Sequence, residues 1–148
     1  MPVKPIPGGF HTLTPGCAVR NSAQAIDFYK RAFGARERSR FAGPDGTVVH
    51  AELEIGDSVF MLGEAIKAPP HAMQVMMYVD DCDAVYKRAV SAGAVAKEPV
   101  TDQFWGDRAG RVKDPFGNEW YIATHKEDVS EAEMQRRFRE MMTSAPAK

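Results

Sequence analysis

Only two cysteines, Cys17 and Cys82, occur in the 148 residues. They are too few for a disulfide scaffold, and they form no C-x-x-C pair. The four histidines, His11, His50, His71 and His125, show neither H-x-x-x-H nor H-E-x-x-H spacing, so no local motif gathers a metal. Neither sign of charge is in excess: 19 Lys plus Arg face 20 Asp plus Glu. That argues against nucleic acid or anionic lipid as a partner. No apolar run approaches the roughly 20 residues of a membrane-crossing helix. The N-terminal MPVKPIPGGF has three prolines and no apolar stretch, so it does not read as a secretory signal. There is no G-x-S-x-G and no cysteine close to a histidine, hence no motif for covalent catalysis. The expected setting is a reducing cytoplasm.

What is present is an ordinary globular composition, 44% hydrophobic and 26% charged, enough for one domain or two small units sharing a core. The most informative stretch is RVKDPFGNEWYIAT, residues 111–124. It reads as strand, turn, strand, with Asp114-Pro115-Phe116-Gly117-Asn118 dense in turn formers. A weaker copy, AELEIGDSVFML, covers residues 51–62. Aligning the glycines sets Gly56 against Gly117 and Phe60 against Tyr121.

The rest of the chain repeats in the same sense. After an irregular arm over residues 1–12, Leu13–Val19 suits a strand. Asn21 or Ser22 can cap a helix with Ile26, Tyr29 and Phe33 on its apolar face, ended by Gly34. Strands follow at Glu37–Phe41, Thr47–Ile55 and Ser58–Leu62, with a hairpin turn at Gly43-Pro44-Asp45-Gly46. In the second half a strand at Gln74–Val79 leads into a helix with Cys82, Val85, Tyr86 and Ala89 on its dry face, ended by Gly93. A strand at Val95–Val100 and a longer connection, Thr101–Gly110, lead back to the opening stretch. The spacing predicts two βαβββ modules, about 13–63 and 73–125, with a linker at 64–72. Ser130-Glu131-Ala132-Glu133 is a capping box for a third helix over about 130–142. Its Met134, Phe138, Met141 and Met142 suit packing on its own domain or across a dimer.

At this point the chain resembles the vicinal oxygen chelate superfamily, the glyoxalase and bleomycin-resistance fold, and within it the PhnB-like branch. The resemblance rests on Thr14-Pro15, Ala25-Ile26-Asp27-Phe28-Tyr29, Phe33-Gly34-Ala35, His50-Ala51-Glu52-Leu53, Gly56-Asp57-Ser58, Tyr78-Val79-Asp80-Asp81, Gln103 to Arg108, Asp114-Pro115-Phe116-Gly117 and Ala123 to Asp128. It implies an α+β fold in which paired βαβββ modules form a half-open mixed-sheet cup with the helices outside, and a homodimer. The family's metal positions fall on Thr14, Phe60, Gln74 and Tyr121. Phe60 has no donor atom, and the others are weak ligands near neutral pH. The expectation is therefore no metal cofactor. A displaced metal on His50 and Glu52, joined by His11, His71 or His125, stays open.

Parity along the strands places His50, Glu52 and Glu54 in the cup, with Ala109, Arg111 and Lys113 opposite. Phe60, Met76, Tyr78 and Tyr121 are expected to face the same way. The candidate ligand-binding residues are Phe60, Gln74, Met76, Trp105, Arg108, Arg111 and Tyr121, with Trp105 on a lid; in the alternative, Phe60, Met76 and Tyr121 plug the cup as core, Trp105 anchors its loop and Asp107–Arg108 is a structural ion pair. This mix suits a flat or amphipathic small organic molecule. If the protein is an enzyme, a lyase or isomerase moving protons, His50 is the candidate general base and Glu52 orients it.

Overall fold

The computed structural model describes residues 2–144. Two four-stranded mixed sheets and three helices make an α+β fold. The first sheet holds β1 (Gly16–Val19), β2 (Arg36–Ala42), β3 (Val48–Ile55) and β4 (Ser58–Glu64) in the order β1-β4-β3-β2. The second holds β5 (Gln74–Tyr78), β6 (Val95–Asp102), β7 (Asp107–Lys113) and β8 (Glu119–His125) in the order β5-β8-β7-β6. In each, only the first strand runs parallel to its neighbour, so a crossover helix must follow it. These crossovers are α1 (Ser22–Phe33) and α2 (Cys82–Ala92). The third helix, α3, spans Glu131–Ser144.

Several boundaries differ from the sequence reading for identifiable reasons. β1 starts at Gly16 rather than Leu13; Pro15 has no N–H to give and offers only its carbonyl, to Met61. β4 runs on to Glu64, because its carboxylate caps α1. It accepts the N–H groups of Asn21 and Ser22 at 2.9 and 3.0 Å. Neither Asn21 nor Ser22 is therefore the side-chain cap; Asn21 instead takes a left-handed φ of 61°. The connection expected over Thr101–Gly110 shrinks to residues 103–106. Gln103 N donates to Asp107 O at 2.7 Å, and Gly106 supplies a φ of 101°.

Each sheet has a face against the helices and an open face. Ala51, Leu53, Phe60 and Leu62 of the first sheet, and Val112, Trp120 and Ile122 of the second, are buried on the helix side. Tyr29 of α1 joins the halves: its ring lies 5.3 Å from Phe60 and 5.5 Å from Trp120. Its hydroxyl donates to Asp114 Oδ2 at 2.6 Å and accepts from Asn118 Nδ2 at 2.8 Å. Trp120 Nε1 donates to the same carboxylate at 2.8 Å. The buried Asp114 also takes the N–H groups of Phe116 and Asn118, so the turn after β7 is pinned from inside. Burial, then the Asp114 charge, keeps the Tyr29 hydroxyl protonated.

Helix α3 has no buried residue. Phe138 touches Phe104 at 5.5 Å, and Arg137 reaches the Phe104 carbonyl and the Glu127 carboxylate. Met141 and Met142 stay exposed. Among the described residues no helix is long and apolar enough to cross a membrane.

Candidate functional site

Register fixes which side chains share an open face, since residues paired across strands point the same way. In the second sheet Gln74 pairs with Glu119, Met76 with Tyr121, and Tyr121 with Arg111. These five side chains border a shallow hollow of about 180 Å³. The Arg111 guanidinium lies 4.9 Å from the Tyr121 ring centroid. Glu119 stands 3.4 Å from Arg111 Nη1 and Glu98 stands 3.6 Å from Nε. That second contact is too long for a hydrogen bond, and the buried Nε has no hydrogen-bond partner. Gln74 Nε2 donates to Glu119 at 3.1 Å. Trp105, from the 103–106 turn, meets Tyr121 edge-on at 6.3 Å. Burial raises the Tyr121 hydroxyl above its ordinary range, so it stays neutral.

At the far end of this face sits Asp107, only 2% exposed. Its Oδ2 accepts from Tyr78 OH and from Trp105 Nε1, each at 2.8 Å, and its Oδ1 lies 2.8 Å from His125 Nδ1. Burial alone would raise this carboxyl, but the His125, Tyr78 and Trp105 hydrogen bonds outweigh it and hold it below the usual carboxylate range. His125 Nε2 lies 2.8 Å from the exposed Asp128. Asp128 and then Asp107 raise the imidazole above its ordinary value.

A larger groove, about 830 Å³, runs between the N-terminal arm, the β3–β4 turn and β5. Leu13, Ile55, Met73 and Met77 line it, and it shares Met76 with the hollow.

The expected site residues divide. Gln74, Met76, Arg111 and Tyr121 lie together, with Trp105 beside them. Phe60 does not join them: it pairs with Leu53 and points into the core. Arg108 is also elsewhere. It pairs with Thr124 on the helix side and holds Asp83 of α2 through two hydrogen bonds, 2.7 and 3.0 Å. This uses its planar fork on a structural partner. His50 and Glu52 lie on the open face of the other sheet, where Arg38 approaches Glu52 at 4.0 Å and Phe41 lies against the His50 ring. The sequence reading named Tyr78, Trp105 and His125 separately; it missed Glu98, Glu119 and the gathering of those three on Asp107. Their only signal is register, which pairs Asp107 with His125 and Glu98 with Arg111.

The metal positions can be tested in the same way. Register equates Met61 with Tyr121, because Met61 pairs with Gly16 and Glu52 as Tyr121 does with Met76 and Arg111. The open-face position in β4 is therefore Met61, a soft thioether, rather than Phe60. Thr14, Met61, Gln74 and a neutral Tyr121 do not fit a divalent ion that favours imidazole and carboxylate. Among the described residues no three His, Cys, Asp or Glu side chains come together where they could hold one. His11 contacts the Asp57 carbonyl, His71 bridges β1 through its backbone, and His125 is held by Asp107.

Residues 10–122 match the profile of the glyoxalase/bleomycin resistance protein/dioxygenase superfamily. The chain belongs to this superfamily. An uncharacterised protein of Mycobacterium tuberculosis is 37% identical over 135 residues, covering 83% of this chain and 79% of its own length. TioX from Micromonospora sp. ML1 superposes with a TM-score of 0.68 at 28% identity, over 78% of this chain and 98% of TioX. A Bacillus cereus protein described as PhnB and as a putative 3-demethylubiquinone-9 3-methyltransferase superposes with a TM-score of 0.60 over 77% of this chain and 99% of its own; at 17% identity it shows the fold alone. Superfamily membership fixes the architecture around the second open face but not its ligand.

Proposed function

We propose that this superfamily member binds a small, flat organic molecule on the open face of the second sheet, without a metal, and so sequesters or recognises it. The observation that carries the reading is Arg111. Its guanidinium lies over the Tyr121 ring, 4.9 Å from the centroid, between Glu98 and Glu119, with Met76, Gln74 and Trp105 around it. Braced rings and an immobilised guanidinium present faces for stacking at little further ordering cost. The acting unit in this reading is a homodimer. The exposed apolar side chains of Phe138, Met141 and Met142 on α3 support a second copy against that helix.

The test is a thermal-shift screen of planar metabolites and antibiotics on metal-free and metal-loaded protein. A ligand of the native state raises the melting temperature by mass action. The expected result is a hit that survives chelation and is lost in Tyr121→Ala. A hit that needs added metal, or one indifferent to Tyr121, would sink the reading.

A further inference from the structure

We infer that His125 forms an acid-recognising subsite at the end of the second open face, taking a carboxylate carried by an aromatic ligand, with Asp128 occupying the place of that carboxylate in the free protein. The inference rests on the reading that this face takes a flat ligand, and adds which polar group that ligand bears.

Three observations carry it. First, the imidazole is aimed. Asp107 is buried, and its Oδ1 engages Nδ1, which leaves Nε2 as the working edge. A carboxylate that fixes one ring nitrogen orients the other toward a second partner. Second, that second partner is replaceable. Asp128 lies in the segment between β8 and α3, its side chain is fully exposed, and its carboxylate has only His125 among the hydrogen bonds of the described residues. A carboxylate in open water gives up such a contact at little cost. Third, aromatic surface adjoins the subsite. Tyr78 and Trp105 both donate to Asp107, and Trp105 also meets Tyr121. His125 stands four residues beyond Tyr121 along β8, roughly 13 Å at about 3.3 Å per residue. Trp105 spans the interval.

The charged groups against His125 are Asp107 from β7 and Asp128 from the following segment; Tyr78 of β5 and the Trp105 indole reach it only through Asp107. With Asp128 swung away, an imidazolium and one carboxylate remain, so an incoming anion meets no net negative charge. A neutral ligand gains nothing from displacing Asp128. The subsite therefore discriminates by charge.

The experiment titrates the full chain with benzoate and with its neutral isostere benzamide, following the His125 ring signals by NMR. At pH 6 benzoate is expected to bind about tenfold more tightly than benzamide, the worth of one charge-assisted hydrogen bond. Raising the pH through the elevated folded value should shrink the difference as the imidazole loses its proton. His125→Ala should equalise the two probes. Asp128→Asn, a surface change that leaves the fold intact, should strengthen benzoate binding several-fold by removing the competitor. Equal affinities at pH 6, benzoate binding weakened by Asp128→Asn, or failure of both probes to perturb His125 would each overturn the subsite. Benzamide binding beside Trp105 without discrimination would overturn it while leaving the flat-ligand reading standing.

Discussion

Glu52 and Arg111 hold the same place in the two halves of the chain, and they carry opposite charge. Glu52 pairs with Met61 on the neighbouring strand, and Arg111 pairs with Tyr121. On the other side Glu52 pairs with Ser39 and Arg111 with Glu98. Each half also has a cation over an aromatic ring: Arg38 lies 5.0 Å from Phe10, and Arg111 lies 4.9 Å from Tyr121. The difference is where the ring comes from. Phe10 belongs to the N-terminal arm, whose Gly8 carbonyl accepts from Arg38 at 2.8 Å. Tyr121 belongs to the sheet. The first half thus lays its own chain over its charged pair, whereas the second leaves the equivalent surface to solvent. On the proposed reading, a duplicated frame becomes a one-sided site when only one copy covers its face with its own chain.

The turns separate the halves further. Gly56-Asp57 is a surface turn, whereas Asp114 and Asn118 are buried and tie the second half to α1. Asp114→Ala should therefore give the largest effect. It strands the Tyr29 hydroxyl, the Trp120 indole N–H and two backbone N–H groups, for a loss of about 4 kcal/mol or more in denaturant unfolding. Asp57→Ala should stay within about 0.5 kcal/mol, as exposed substitutions do. Comparable losses would mean that the second turn does not join the halves. Next in size is ligand affinity. For a ligand found by thermal shift, Arg111→Ala should weaken binding about tenfold or more, while the register-equivalent Glu52→Ala leaves it unchanged. Equal losses in a calorimetric titration would make the site two-sided.

Much of this frame was legible in the chain, because alternation and glycine punctuation report elements directly. The failure at Phe60 is instructive. Gly56 and Gly117 stand 61 positions apart, but Met61 and Tyr121, which register equates, stand 60 apart. Aligning on the glycine carries one extra turn residue into the strand, and a slip of one reverses every side chain. Val48 and Val49 show the same physics. The alternation assigns Val49 to the core, yet Val48 is buried and Val49 exposed, where the register shifts between Phe41 and Ala42. Arg108 is read from the sequence as a ligand contact because it follows the aromatic Phe104-Trp105 pair, but strand parity turns it to the helix side, where its partner Asp83 lies 25 residues away on α2. The Asp107 cluster draws on β5, β7, β8 and a turn, so only the assembled sheet reveals it.

Smaller effects sharpen the contrast between the two faces. Phe10→Ala should cost about 0.5–1 kcal/mol, the worth of an exposed cation–π contact. It should also speed amide exchange at the arm without touching ligand binding. Slower exchange there, or a change in affinity, would contradict the view of the arm as a cover on the first face alone.

The smallest expected effect is a pH window. Asp107 is depressed in the folded chain, so its contribution to stability is complete above its unfolded value near 3.8 and fades as pH falls through the folded one. His125 is raised, so its contribution is complete below its unfolded value near 6.5 and fades as pH rises through the folded one. The pair therefore stabilises most between those limits. Asp107→Asn should lower the melting temperature most near pH 5 and progressively less toward pH 9. The residual deficit at high pH reports the Tyr78 and Trp105 hydrogen bonds, which do not depend on the imidazole. A deficit that grows with pH would mean that His125 is held neutral.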